Sequence, residues 1–173
     1  ESTFRAMEGK IQAMAEEMVT EPPSWDARAA VADLADYSLI TREANHVIVH
    51  RMVQTVIKSR VPEEKQVPWL QHALAITQAY NPGSAVNDPL VLPVWDGLRA
   101  HAEVLINQGE AAELVTPTTE LMNGLAIYLL VRALHGDSEY LLCRALALEQ
   151  QAPEPDATKI ARTQSNLAAV LRE

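Results

Sequence analysis

Any chemistry in this chain would have to start from its histidines, its paired carboxylates and its one thiol. His46 and His50 stand four residues apart, His72, His101 and His135 are scattered, and no His-Glu-x-x-His motif or cysteine cluster accompanies them. The first pair falls across a strand–helix junction rather than on one helix face, so a zinc site is not expected. Glu16-Glu17 and Glu63-Glu64 could act as acid and base only inside a pocket, and they read most simply as solvated faces. No Gly-x-Ser-x-Gly elbow places a nucleophile, and no Gly-x-x-x-x-Gly-Lys-Ser/Thr loop is present to cradle phosphates or carry Mg²⁺. Cys143 cannot pair within the chain, which favours a reducing compartment, and its apolar helical surroundings predict an inert core residue. The expectation is a non-catalytic chain without a metal.

The charge balance narrows the partners. Fourteen Lys and Arg against 23 Asp and Glu leave a net charge of −9 over 173 residues. Phosphate binding relies on clustered basic side chains, so nucleic acid and anionic membranes are poor matches. At 48% hydrophobic and 21% charged the composition is globular. The longest wholly apolar stretch, Leu125 to Val131, falls far short of the ~20 residues that span a bilayer. No basic region followed by an apolar stretch marks a signal peptide at the start. A soluble, cytoplasmic protein is expected.

Ten prolines and six glycines punctuate a chain of mostly helical period. Met7, Ile11, Met14 and Met18 recur at helical spacing before Glu21-Pro22-Pro23. Ser24 can cap a helix from Trp25 to about Asp36, with Ala30, Leu34 and Tyr37 toward a core. The period then changes. Leu39-Ile40-Thr41-Arg42 and His46-Val47-Ile48-Val49, joined by Glu43-Ala44-Asn45, predict a β-hairpin. Met52, Val53, Val56 and Ile57 restore the helix until Pro62, because the residue ahead of a proline disfavours the α region.

Trp69, Ala73 and Ile76 line a helix ending at Asn81-Pro82-Gly83; Asn87 to Pro93 reads as a loop. Leu98, Ala102 and Leu105 line the next helix, up to Gly109. Thr116 is then expected to cap a helix and Pro117 to take its first position. Leu121, Leu125 and Leu129 form one stripe and Met122, Ala126 and Leu130 a second, so this helix should pack on two sides. Gly136-Asp137 should break it before an antiparallel partner, Ser138 to Gln150. Pro153 and Pro155 precede a last helix carrying Ile160, Leu167 and Leu171.

Part of this pattern repeats. Asn123-Gly124-Leu125-Ala126 recurs as Ser165-Asn166-Leu167-Ala168 and Leu129 as Leu171, each pair of leucines 42 residues apart. Leu125-Ala126, Leu129, Ser138, Leu142 and Ala145 alternate small and large as in a tetratricopeptide repeat, where small residues let helices approach and large ones fill the seam. The long period, with Arg144-Ala145-Leu146-Ala147-Leu148-Glu149 leading into the second copy, resembles the kinesin-light-chain-like variety. An ordinary helical bundle is the alternative. Because the second copy is incomplete and stacked repeats need a polar cap, a fragment is expected.

The helix–hairpin–helix order is the core of a winged-helix domain. Its leading helix carries Asp26, Asp33 and Asp36 against Arg28, which would repel phosphates and argues against a DNA-binding transcriptional regulator. Leu34-Ala35-Asp36-Tyr37-Ser38-Leu39-Ile40 followed by His46-Val47-Ile48-Val49-His50-Arg51-Met52-Val53-Gln54 resembles the end of the nucleotide-binding module of STAND signalling ATPases, the NB-ARC class. There a Met-His-Asp-type motif follows the hairpin, and Val49-His50-Arg51-Met52-Val53-Gln54 is similar to a bacterial His-Arg-Leu-Val-Gln form, with Met52 for the usual Leu. The resemblance implies that His50 contacts the β-phosphate of ADP in the intact parent protein, as a charge-assisted donor. The residues alone leave open a His50 that packs or caps its helix. Trp69-Leu70-Gln71-His72-Ala73-Leu74 and Leu98-Arg99-Ala100-His101-Ala102 look like the helical connector of that family.

The expectation is a mainly α chain. A winged-helix-like domain with one hairpin covers 1–61, a helical connector 62–115, and antiparallel pairs of a tetratricopeptide-type α-solenoid 116–173. The resemblance implies an upstream nucleotide-binding domain holding ADP or ATP with Mg, no cofactor in this fragment, and a protein or peptide ligand on the repeats. Self-association through the open repeat end is a further expected contact. A stand-alone helical adaptor without nucleotide is the alternative.

Overall fold

The computed structural model describes residues 26–43, 46–80 and 92–172. The protein is mainly helical with one two-stranded antiparallel hairpin, and it forms two compact units, Glu1–Lys65 and Gln66–Glu173. The stripe from Met7 to Met18, Glu16-Glu17, the Ser24 cap and the Asn81-Pro82-Gly83 turn lie outside the described residues.

In the first unit α1 (Ala27–Asp36) leads through Ser38 into β1 (Ile40–Arg42), β2 (Val47–Val49) and α2 (Arg51–Arg60). Ser38 takes a left-handed φ of 55°. That turn lets Leu39 N–H donate to Leu34 O at 3.0 Å and Ser38 N–H to Ala35 O at 2.9 Å, which satisfies the last carbonyls of α1 as a Schellman motif does. The hairpin pairs Ile40 with Val49, Thr41 with Ile48 and Arg42 with Val47. Ile40 is buried, but Leu34 and Tyr37, expected to face a core, are 40% and 78% exposed. β1 lies against α1, and Ile40, not Leu34 or Tyr37, is the side chain buried in this stretch.

The second unit is built from α3 (Glu63–Ala79), α4 (Leu92–Ala111), α5 (Val115–Val131), α6 (His135–Gln151) and α7 (Ala157–Val170), the boundary between the units falling within the first turn of α3. α5 packs against α4, α6 and α7, as its two apolar stripes require. Leu121, Met122, Leu125, Ala126 and Leu129 are all buried, and Ser138, Leu142 and Ala145 meet them from α6. Close approach at this crossing is fixed by Ser138 Oγ, which donates to Ala126 O at 2.8 Å. α5 and α7 start at Val115 and Ala157, 42 residues apart like the sequence copies.

Several boundaries differ from the sequence expectation. Thr116 does not cap α5: Leu114 holds the N-cap position without a side-chain bond, and Pro117 falls third in the helix, where its missing N–H is still an orphan. Leu92-Pro93 likewise opens α4 rather than closing a loop. Gly136 does not break α5 but sits in the first turn of α6, and the break is Ala133, with φ 58°. Glu113, with φ 57°, does the same between α4 and α5. In both turns the next leucine closes the Schellman bond, Leu114 N–H to Gly109 O and Leu134 N–H to Leu129 O, each at 2.9 Å. Trp69 is 60% exposed, and α3 instead buries Leu74 and Thr77. Cys143 is exposed rather than in the core. It follows the buried Leu142 and so lies about 100° round α6 from it, off the packed face. Among the described residues no helix is long and apolar enough to cross a membrane.

Candidate functional site

His50 occupies the N-cap position of α2, directly after β2, and is exposed. Its backbone ties hairpin to helix: His50 N–H donates to Leu39 O at 3.4 Å, and His50 O accepts from Gln54 N–H at 3.0 Å. Its side chain makes no capping hydrogen bond. Gln54 secures the junction instead, Nε2 donating to Val49 O at 2.9 Å. The imidazole therefore neither caps nor packs, and it stands beside Arg51 at the positive end of a helix. That electrostatic setting suits an anion brought from outside.

The other histidines are not gathered around it. His46 Nε2 lies 3.2 Å from Glu43 Oε2 in an exposed pair. His72 and His135 are half-buried and His101 is exposed. Among the described residues no three His, Cys, Asp or Glu are placed to hold a metal. Glu63 and Glu64 open α3, where they complement its dipole.

In the helical unit the polar side chains that sequence reasoning missed join helices. Asn123, buried on α5, donates through Nδ2 to Thr119 O and to Thr163 Oγ1 of α7, both at 2.9 Å. Its Oδ1 accepts from Asn166 Nδ2 at 2.7 Å. Lys159 Nζ adds a bond to Thr116 Oγ1 at 3.2 Å and lies 3.7 Å from Glu120. Asn123 and Asn166 stood out in the sequence within similar segments; that their side chains meet between α5 and α7 did not.

α4 and α6 are joined by two arginines. Arg99 donates to Glu103 at 2.9 Å and to Asp137 at 3.4 Å; Arg144 donates to Asn107 at 3.1 Å and pairs with Glu110. Between them lies a cleft of about 280 Å³ floored by Ile106, Leu125, Leu129 and Leu141. Those four residues are almost fully buried and both guanidiniums are neutralised, so the cleft offers little apolar area and no unpaired cation. At one end of α5, Trp95 stacks on Tyr128 with ring centroids 5.7 Å apart. Tyr128 Oη and Arg132 both donate to Asp96. Those bonds, Tyr128's first, hold the Asp96 carboxyl below the usual carboxylate range, while burial raises the Tyr128 phenol. This cluster clamps α4 to α5. Glu149 is buried, and neither of its carboxylate oxygens has a hydrogen-bond partner among the described residues.

No protein-family model, curated protein or solved structure matches the chain.

Proposed function

We propose that this chain is a non-catalytic regulatory and protein-interaction segment of a STAND-type signal-transduction NTPase. The hairpin unit senses ADP through His50 in the intact protein, and the helical unit binds a protein or peptide. The observation that carries the reading is the state of His50: exposed, uncommitted, and placed where the Val49-His50-Arg51-Met52-Val53-Gln54 motif opens a helix after a hairpin. An imidazole in that position can donate to a diphosphate presented by an upstream domain. Loss of that bond shifts a two-state equilibrium away from the closed form. The test is nucleotide retention by the full reading frame. His50→Ala is expected to loosen ADP and raise signalling activity, and unchanged retention would sink the proposal.

A second reading, a helical adaptor without nucleotide, draws support from the Asn123–Thr163–Asn166 relay between α5 and α7 and from the 42-residue offset of their starts. It expects His50→Ala to be silent. Substitutions on the concave face of the repeats would abolish partner binding instead.

A further inference from the structure

The hairpin unit carries two exposed helix surfaces of opposite character. No residue of α2 is buried; Met52 is 76% exposed, Val56 46% and Ile57 52%. The helix holds Arg51, Lys58 and Arg60 and no acid, in a chain of net charge −9. None of the three cations pairs with an acid among the described residues. Its polar side chains turn back on its own backbone, Thr55 Oγ1 donating to Arg51 O at 3.0 Å and Ser59 Oγ to Val56 O at 2.9 Å. Arg60 continues the Met52–Val56 stripe while Arg51 and Lys58 lie on the other side of the helix, so the stripe itself is both apolar and cationic and asks for an occupant both apolar and acidic.

α1 has that character. Leu34 and Tyr37 are exposed beside Asp33 and Asp36, and neither carboxylate is ion-paired to a described residue. An anionic lipid surface would suit α2 but would be repelled by α1, whereas a second copy of the chain satisfies both at once. Under two-fold symmetry a patch need only be complementary to itself, and an acidic helix plus a basic helix on one unit meets that condition twice per dimer.

We propose that the protein forms a two-fold homodimer through its hairpin unit, α1 of each protomer lying on α2 of its partner. Met52, Val56 and Ile57 meet Leu34 and Tyr37, and Arg60, which continues the Met52–Val56 stripe, meets Asp33 and Asp36. The contact is independent of nucleotide and of the helical repeats.

Sedimentation equilibrium of the full chain tests this. The mass is expected to rise from 19.0 kDa toward twice that with concentration, and to fall back as salt screens the charges. Arg60→Glu alone, or Asp33→Lys/Asp36→Lys alone, is expected to weaken self-association at least ~10-fold, because like charges then face each other. Mixing the two variants restores a heterodimer, which also shows that both are folded. A monomeric mass at every concentration would overturn the proposal. So would a dimer indifferent to both charge swaps, or a monomer that binds phosphatidylserine vesicles through α2.

Discussion

Fourteen hydrophobic side chains form one buried cluster in the helical unit, whereas Ile40 is the only buried hydrophobic residue described in the hairpin unit. The first is held by area removed from water, which stabilises by about 25 cal/mol per Å² and accumulates with every layered helix. Among the described residues the second is held by local bonds: a Schellman turn at Ser38, a three-residue ladder and the Gln54 link to Val49. A unit of that kind keeps its surface available, and its exposed residues carry both His50 and the two charged helices. The helical unit spends its polar residues joining helices.

The sharpest way to break this contrast is to remove a large side chain from each side. Trp95 is fully buried and stacked on Tyr128, so Trp95→Ala should cost the helical unit about 3–5 kcal/mol. Ile57→Ala, at a half-exposed site of α2, should cost the hairpin unit less than about 0.5 kcal/mol in dilute solution. Segment-resolved hydrogen exchange reads the two separately. Equal losses would mean that the hairpin unit hides a core of its own.

Two glycines sharpen the same point inside the helical unit. A Cβ on Gly109 would lie 3.2 Å from Thr118 Cβ and closer still to its hydroxyl, and Thr118 is fully buried. A β-branched side chain locked in a core cannot swing aside, so Gly109→Ala should destabilise by about 1–3 kcal/mol. A Cβ on Gly97, on the same helix, meets nothing within 4 Å, and Gly97→Ala should stabilise by about 0.5–1 kcal/mol through helix propensity alone. Thermal unfolding should move in opposite directions for the two; movement in the same direction would mean that α4 and α5 are not in close approach at Gly109.

What the sequence made legible follows from how far each cause reaches. The hairpin was visible because alternation and β-branching act over neighbouring residues, and β1 and β2 fall inside the predicted stretches. The two stripes of α5 were visible because burial on several sides needs several stripes, and all the named positions except Leu130 are buried. Partners were not visible. Thr163 lies 40 residues from Asn123, and nothing local marks a hydroxyl that will meet an amide across two helices. On α3 the expected Ala73 and Ile76 are half-buried beside the buried Leu74 and Thr77, and only Trp69, a turn nearer the helix start, stays exposed. His50 was legible as a motif; its freedom from every capping bond needed coordinates.

The helix ends are where composition misled, and they supply the finest probe of the comparison. Glycine marks most left-handed helix ends, yet here Ser38, Glu113 and Ala133 take those conformations, with φ of 55°, 57° and 58°. A non-glycine residue there costs about 1–2 kcal/mol, which the closing bonds from Leu39, Leu114 and Leu134 must outweigh. Glycine would remove that cost but adds about 0.5–1 kcal/mol of unfolded-state freedom. The net gain expected for Ser38→Gly or Ala133→Gly is therefore about 0.5–1 kcal/mol. Each should appear only in the exchange of its own unit, Ser38→Gly slowing α1 and the hairpin, Ala133→Gly slowing α5 and α6. If Ala133→Gly protected the hairpin as strongly as α5, the two units would unfold as one. The contrast between a dense helical core and a thinly packed hairpin would then describe burial alone, with no consequence for how the protein opens.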